Sequence, residues 1–429
     1  MQRRFVKLDH VEELQSFKIN KAVKKKNHNA HNKKWAVLSI ASIPLIMTLG
    51  NSMFIPVLTV MKKQLNITSF QSSMIITAYS IVAIILIPVA GYLSDHIGRK
   101  KVIIPSLIIT GLGGLISGWA AWKMADAYWI ILLGRGLQGV GAAGAAPIVM
   151  PLVGDMFKNE EEVSSTLGII ETSNTLGKVL SPILGSVIAG ILWYLPFFAI
   201  PVFCLISTIL VWFLVKTPKS REEPIPFQTF FKNVKKTFSH NGKWLNAIFL
   251  IGAIMMFVLF GVLFYLTETL ETQYHITGVK KGLYLAIPLG ALCLASFFTG
   301  RFIKENKILM KWIIFTGSIL LALSVVVLSF SNKQWFLIAL FLCAGIGIGA
   351  VLPCLDALIT SGIEKEHRGT ITSIYNSMRF IGVAAGPPIL AILMSHTGKL
   401  LFYILGGISI ISALLTFMAI KPDEKDTAK

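Results

Sequence analysis

The chain has 429 residues, 54% of them hydrophobic and 14% charged, with a mean hydropathy of +0.70 and a net charge of +19. That apolar content lies far outside the range of water-soluble globular domains. Nucleic acid is excluded as the reason for the basic excess, because Lys and Arg fall between long apolar runs rather than on one folded basic surface.

Residues 1–34 carry ten Lys or Arg and no apolar core ahead of a cleavage site, so they do not read as a signal peptide. Phe5, Leu8, Val11, Leu14 and Phe17 recur every third residue, which would suit a weak amphipathic helix, but the polar composition favours disorder. From Trp35 onward, twelve apolar segments are long enough to span a bilayer. They cover about 35–60, 70–93, 102–122, 127–150, 164–190, 195–216, 245–267, 281–300, 311–331, 335–359, 370–394 and 400–420. Lipid offers no partner to a backbone amide, so each segment is predicted to be a helix and the fold to be all-α.

Lys and Arg also predict orientation. With the N-terminus inside, the inside segments hold 30 of them and the outside loops 7, and Arg135, Lys178 and Arg379 lie within spans. This bias predicts that both termini, including the tail 421–429, are cytoplasmic. The longest loop, 217–244, separates segments 35–216 from 245–420. Its Phe227, Phe230, Phe231, Val234 and Phe238 share one helical face away from Lys232, Lys235 and Lys236. The reading is a short helix on the cytoplasmic membrane surface, with a solvated linker as the alternative.

The fifth segment has an unusual character. Gly177, Ser181 and Gly185 recur every four residues, which makes one smooth helical face for a close neighbour. Pro182 removes one backbone donor and should bend the helix. Glu171 and Lys178 share a face of this helix, about 10 Å apart along its axis.

The two halves also echo one another. GVGAAGAAP (139–147) is similar to GIGIGAVLP (345–353), with Pro147 and Pro353 offset by 206. GKVLSPILG (177–185) is similar to GVAAGPPIL (382–390), so Gly386 and Pro387 repeat Ser181 and Pro182 at an offset of 205. Gly91 and Gly300 are offset by 209. Two similar six-helix halves predict a transporter with a site between them.

The loop GYLSDHIGRKK (91–101) resembles the signature between helices two and three of the major facilitator superfamily, with His96 in place of the usual Arg or Lys. RGLQGVGAA (135–143) resembles that family's fourth-helix motif in full, and 177–186 resembles its fifth-helix antiporter motif, with Ser181 and Ser186 where Gly is usual. The resemblance spans about Trp35 to Ile420 and points to the twelve-helix drug/proton antiporter branch. It implies two pseudo-symmetric six-helix bundles in a bacterial cell membrane, exporting small amphipathic molecules by alternating access against proton entry. It also implies that Arg135 assists proton transfer.

These residues suggest roles of their own. Gly91 and Gly98 permit a tight turn beside a helix end. Asp95 is placed to face the positive N-terminus of helix eleven near Gly369 and Thr370, to pair with Arg99, and to be joined by Asp155. With Lys100 this would form a latch closing the cytoplasmic side; an ordinary charged loop fixing topology is the alternative. Glu171 is the first candidate for a proton- and substrate-coupling group, because desolvation favours the neutral carboxylic acid. Its alternative is a structural ion pair with Lys178 or Arg135. Lys178 would bind an anionic group of the substrate or balance Glu171. Asp356 is placed to pair with Arg379 or with the loop. Asn51 is a pocket donor or a helix–helix hydrogen bond, and Phe54, Tyr79, Phe257, Phe260 and Tyr375 are candidates to line an apolar pocket. Three intramembrane cations, Arg135, Lys178 and Arg379, outnumber the two clear acids, Glu171 and Asp356. That excess favours an anionic or amphoteric substrate such as a catecholate siderophore.

Other classes are less well supported. Nutrient uptake by symport and lipid flipping are opposed only by the fifth-helix resemblance. A membrane enzyme finds no HExxH, GxSxG or intramembrane His/Asp cluster, and no Walker-type loop is present. A channel is disfavoured because the halves look like rocking bundles rather than a pore ring. The eight His lie mainly in the tail and loops, and the four Cys (Cys204, Cys293, Cys343, Cys354) have no CxxC pairing, so neither metal nor cofactor is expected. The expected partners are a small-molecule substrate, protons and the bilayer, with no nucleic acid and a monomeric state.

Overall fold

The computed structural model describes residues 33–157, 160–215, 227–303, 306–331, 333–363 and 365–420; the side chains of 160, 161, 164, 227–241, 360, 361 and 365–370 are outside the description. Among these residues every regular element is a helix, and twelve are long and apolar enough to cross a membrane. They are α1 (Lys33–Gln64), α2 (Ser69–Ile97), α3 (Arg99–Lys123), α4 (Tyr128–Met156), α5 (Ser165–Ile191), α6 (Leu195–Leu214), α7 (Gly242–Thr272), α8 (Gly278–Ile303), α9 (Lys307–Phe330), α10 (Gln334–Ile359), α11 (Ile371–His396) and α12 (Leu400–Ala419). All twelve fall on the segments expected from hydropathy. Their outward faces carry side chains such as Leu133, Phe213 and Phe302, an apolar surface suited to lipid rather than water. The tail 1–32, with its amphipathic pattern, and residues 421–429 lie outside the described residues.

The helix expected over the linker is not a separate element. It runs unbroken from Phe227 to Thr272 into the seventh span. No Pro lies between 227 and 245, and the helix runs through the Asn241-Gly242 pair, a dipeptide that more often marks a turn.

Two helices are interrupted where proline removes an amide. In α4 the backbone turns at 146–148 around Pro147 before resuming as Val149–Met156. In α1 it turns at 53–54 and passes through a single 3₁₀ turn, Ile55–Val57, containing Pro56. Pro182, by contrast, sits inside a helix that continues through it. Gly98 separates α2 from α3 at a φ of +99°, a backbone angle that side chains disfavour.

The repeat in the sequence is visible as a repeat of packing. In the first half α3 packs on α4 and α6, and α2 on α4; in the second, α9 packs on α10 and α12, and α8 on α10. The halves meet most extensively through two equivalent pairs, α2 with α11 and α8 with α5, with further contacts of α1 on α7 and α8. The small-residue stripe of α5 closes on α1. A Cβ on Gly177 would lie 3.1 Å from the Leu45 carbonyl and 3.2 Å from Thr48 Cβ, and one on Gly185 would collide with the Met53 carbonyl. The stripe of α11 does the same to α7. A Cβ on Gly382 would strike the Ala253 carbonyl, and one on Gly386 would lie 2.7 Å from that of Phe257. Gly177 with Thr48 and Gly382 with Ala253 are thus the same contact, each residue offset by 205. Lipid gives little hydrophobic drive to helix association, so this close approach is what holds each half together.

The contact is testable by size. Gly185→Val should destabilise the protein by about 1–3 kcal/mol, the usual cost of overpacking. Gly190→Val, one turn on and with nothing within 4 Å of its Cβ, should leave the thermal unfolding midpoint in detergent unchanged.

Candidate functional site

Charged side chains in the bundle form three separate groups, and the way each is satisfied differs. The first is centred on Arg135, fully buried on α4. Its guanidinium donates to the Ile75 carbonyl (2.8 Å), the Gly50 carbonyl (3.0 Å), Gln138 Oε1 (2.5 Å) and Asn51 Oδ1 (2.9 Å). Gly50 lies just ahead of the turn in α1, and Arg135 supplies a donor to the backbone there. The rings of Phe54 and Tyr79 flank the cation at 4.7 and 4.8 Å. All these partners belong to α1, α2 and α4. Arg135 is therefore a tie within the first half, without a carboxylate in its reach among the described residues. The Glu171–Arg135 ion pair does not form, and Asn51 takes the helix–helix alternative rather than facing a pocket.

The second group lies between the halves. Glu171 and Lys178 come from α5, Asp356 from α10 and Arg379 from α11, and their charges act on one another. Arg379 Nη1 is 3.6 Å from Asp356 Oδ1 and stacks over Tyr375. Of the two partners the sequence offers for Asp356, Arg379 is the one within ion-pair distance. Glu171 is only half-buried and receives two long hydrogen bonds from Asn174 Nδ2, both 3.4 Å; Asn174 in turn accepts from Thr48 Oγ1 at 2.5 Å. No ion pair joins Glu171 to Lys178 among the described residues. Lys178 is 8% exposed and makes no hydrogen bond or ion pair among them. It opens onto a narrow cavity lined otherwise by Ser52, Ile55, Pro182, Phe260, Leu263 and other apolar residues of α7 and α8. Of the aromatic residues expected to line a pocket, Phe260 does so; Phe54 and Tyr79 are committed to Arg135, and Phe257 packs its backbone on Gly386.

The third group escaped the sequence reading. Lys281 reads as a loop lysine, yet it is 2% exposed and buried between α1, α7 and α8. It donates to Glu271 Oε2 and to Thr59 Oγ1, both at 2.7 Å, and Lys63 reaches Glu271 Oε1 at 2.6 Å. Thr59 also donates to Glu271. Glu268, buried one turn earlier, is 3.7 Å from Lys62. The hydropathy pattern ends the seventh span before these acids, which is why they were missed; the signal is that Glu268 and Glu271 continue the helix within one turn of the apolar run.

At the opposite end, Arg99 pairs with Asp95 and, at 3.1 Å, with Asp155, and donates to Ser94 Oγ at 2.7 Å. Lys100 donates to the carbonyls of Trp212 and Val215 at 2.7 and 2.8 Å, capping the C-terminus of α6. Gly91 sits against Ser373 of α11, where a Cβ would lie 3.4 Å from the Ser373 hydroxyl. The latch residues therefore tie α2, α3, α4 and α6 together. The expected contact of Asp95 with Gly369 and Thr370 involves side chains outside the described residues.

The Major Facilitator Superfamily model matches residues 40–387 and 310–429. The chain is 53% identical over 394 residues to the "Bacillibactin exporter" of Bacillus subtilis (strain 168), covering 92% of this chain and 98% of that one. It is 26% identical to "Tetracycline resistance protein, class C" of Escherichia coli, over 73% of this chain and 77% of that one. A solved structure of a bacterial homolog of the human lysosomal transporter Spinster, inward-facing and unoccupied, superposes with a TM-score of 0.74 at 14% identity. It covers 92% of this chain and 98% of the other, and that likeness speaks to the fold.

The first two charged groups should respond oppositely to truncation. Arg135→Ala leaves several buried acceptors without a donor and should cost about 2–5 kcal/mol of stability. Arg135→Lys keeps the charge but not the fork and should fall between. Lys178→Ala removes a buried cation that makes no hydrogen bond or ion pair among the described residues, and should leave the melting midpoint in detergent unchanged or raised.

Proposed function

This chain belongs to the major facilitator superfamily and is a multi-pass bacterial membrane exporter, and we propose that its substrate is an amphipathic organic anion, a secreted siderophore of the kind its bacillibactin-exporting relative carries. The observation that carries this reading is Lys178, a buried side chain with no hydrogen bond or ion pair among the described residues, which lines a narrow and mostly apolar cavity between the halves. Such a site desolvates the substrate's rings and leaves one fixed positive charge for its acidic group. Asp356 is held by Arg379 and so does not compete for Lys178 at close range. The general drug-export reading, which would favour lipophilic cations, finds less support in this cavity.

The proposed energy source is the proton gradient, with Glu171 as the group that takes up and releases the proton. Glu171 is available for it: no cation lies within 4 Å among the described residues, and only Asn174 holds it, loosely. Outward movement of an anion and inward movement of a proton carry charge in the same electrical sense. An inside-negative potential therefore assists both, by about 2.3 kcal/mol per charge per 100 mV. Arg135 supports this cycle by keeping α1, α2 and α4 rigid rather than by carrying the proton itself. The reading as a transporter without catalytic activity, and as a monomer, goes with it.

Two variants separate the parts. In vesicles with an imposed pH gradient, Lys178→Ala should abolish export of a catecholate siderophore while sparing a cationic dye such as ethidium; equal loss of both would remove the anion argument. Glu171→Gln should lose acceleration by the gradient but retain substrate binding. Undiminished gradient-driven export by that variant would exclude Glu171 as the proton carrier.

A further inference from the structure

The Lys281 group sits at the end of the bundle opposite the Asp95–Arg99 loop, which the charge bias makes the outer end. Its bonds divide by which half supplies the partner. Glu271 and Lys281 both belong to the second half, on α7 and α8. Thr59, Lys62 and Lys63 all belong to the first half, on α1. The Glu271–Lys281 bond is therefore internal to one half, whereas Thr59 to Glu271, Lys63 to Glu271, Lys281 to Thr59 and Lys62 to Glu268 all cross between halves. Beside Lys281, Gly282 lets α8 rest directly on Pro182 and Ser186 of α5. Helix α5 also carries Glu171 and Lys178 from the central site.

We propose that this group is the outer gate of the exporter, with Glu271 as the carboxylate that bridges the closed halves and Lys281 as the counter-ion that travels with it when they part. Substrate must leave at this end in any export cycle, so the proposal rests on the export reading and adds the residues that bar the exit. The physical point is the cost of an unpaired charge. Separating Glu271 from Lys63 and Thr59 without another partner would strand a buried anion, which is strongly unfavourable. Lys281 removes that cost, so opening loses the cross-half hydrogen bonds and nothing more. Lys281 thus positions Glu271 and sets how easily the gate opens. The contact of Gly282 with Pro182 and Ser186 ties this equilibrium to movement of α5.

The gate is read by distance, independently of any substrate. Spin labels at Gln64→Cys on α1 and Thr277→Cys just before α8 report separation of the halves by double electron–electron resonance. The background is the full-length chain with its four native cysteines replaced by alanine. Thr59→Val with Lys63→Ala should raise the ratio of long to short distances about tenfold, the effect of losing charge-assisted hydrogen bonds from the closed state alone. Lys63→Ala by itself, at a side chain 71% exposed, removes no packed core atoms and should shift the ratio in the same direction. Lys281→Ala added to Thr59→Val should move the ratio the other way, because Glu271 then keeps only Lys63, across the gate. Lys281→Arg in that background should restore the ratio of Thr59→Val alone. An unchanged distance distribution in the Lys63 variants, or further opening on loss of Lys281, would overturn the assignment. Failure of siderophore export with the distance shifts intact would instead count against the substrate reading.

Discussion

A bilayer gives an unpaired charge nowhere to go, and the arrangement of this molecule follows from how each buried charge is answered. Arg135 is answered wholly within the first half, by two backbone carbonyls and two side-chain amides. The Glu271–Lys281 pair is answered within the second half, with further bonds to the first. The central group is shared: α5 brings Glu171 and Lys178, and α10 and α11 bring Asp356 and Arg379. Bonds inside a half survive when the halves move, and bonds between halves do not. Charge placement therefore separates what is rigid from what switches.

Packing makes the same division. The stripe Gly177, Ser181 and Gly185 closes α5 on α1, and Gly382 and Gly386 close α11 on α7, each within one half. Ser181 Oγ returns a hydrogen bond to the Gly177 carbonyl at 2.5 Å, so the serine at a position where the family favours glycine costs no close approach. Between the halves the largest contacts are the broader faces of α2 with α11 and α5 with α8. In the proposed cycle α5, locked to α1 on one side and resting on α8 on the other, would carry a change at Glu171 or Lys178 to the end where Gly282 meets Ser186.

Much of this was legible in the sequence, and the omissions have a common cause. Span positions, the internal repeat and the four-residue stripe are local patterns, carried by hydropathy and residue size. The Asp356–Arg379 pair was also within reach, because both residues stand out as charges in apolar runs. What sequence could not supply was the partner of a charge when that partner lies far along the chain. Lys63 and Glu271 are 208 residues apart, and Lys281 looked like a loop residue because hydropathy falls wherever charges cluster at a span end. Arg135 was legible as a motif, but only the fold reveals that Asn51 and the Gly50 carbonyl, freed beside a turn in α1, satisfy it. The linker helix is legible from its apolar face, but its continuity with the seventh span is not, because Asn241-Gly242 reads locally as a turn.

The claim on which the rest depends is that an anion leaves through a cationic centre while a proton enters. The transport current of protein adsorbed on a supported membrane measures this directly, since it reports the sign of the charge moved as siderophore is translocated. Net positive charge moving opposite to the substrate, growing as the pH on the substrate's exit side falls, is the expected result. A current of the reverse sign, or siderophore movement with no current and no response to pH, would contradict it.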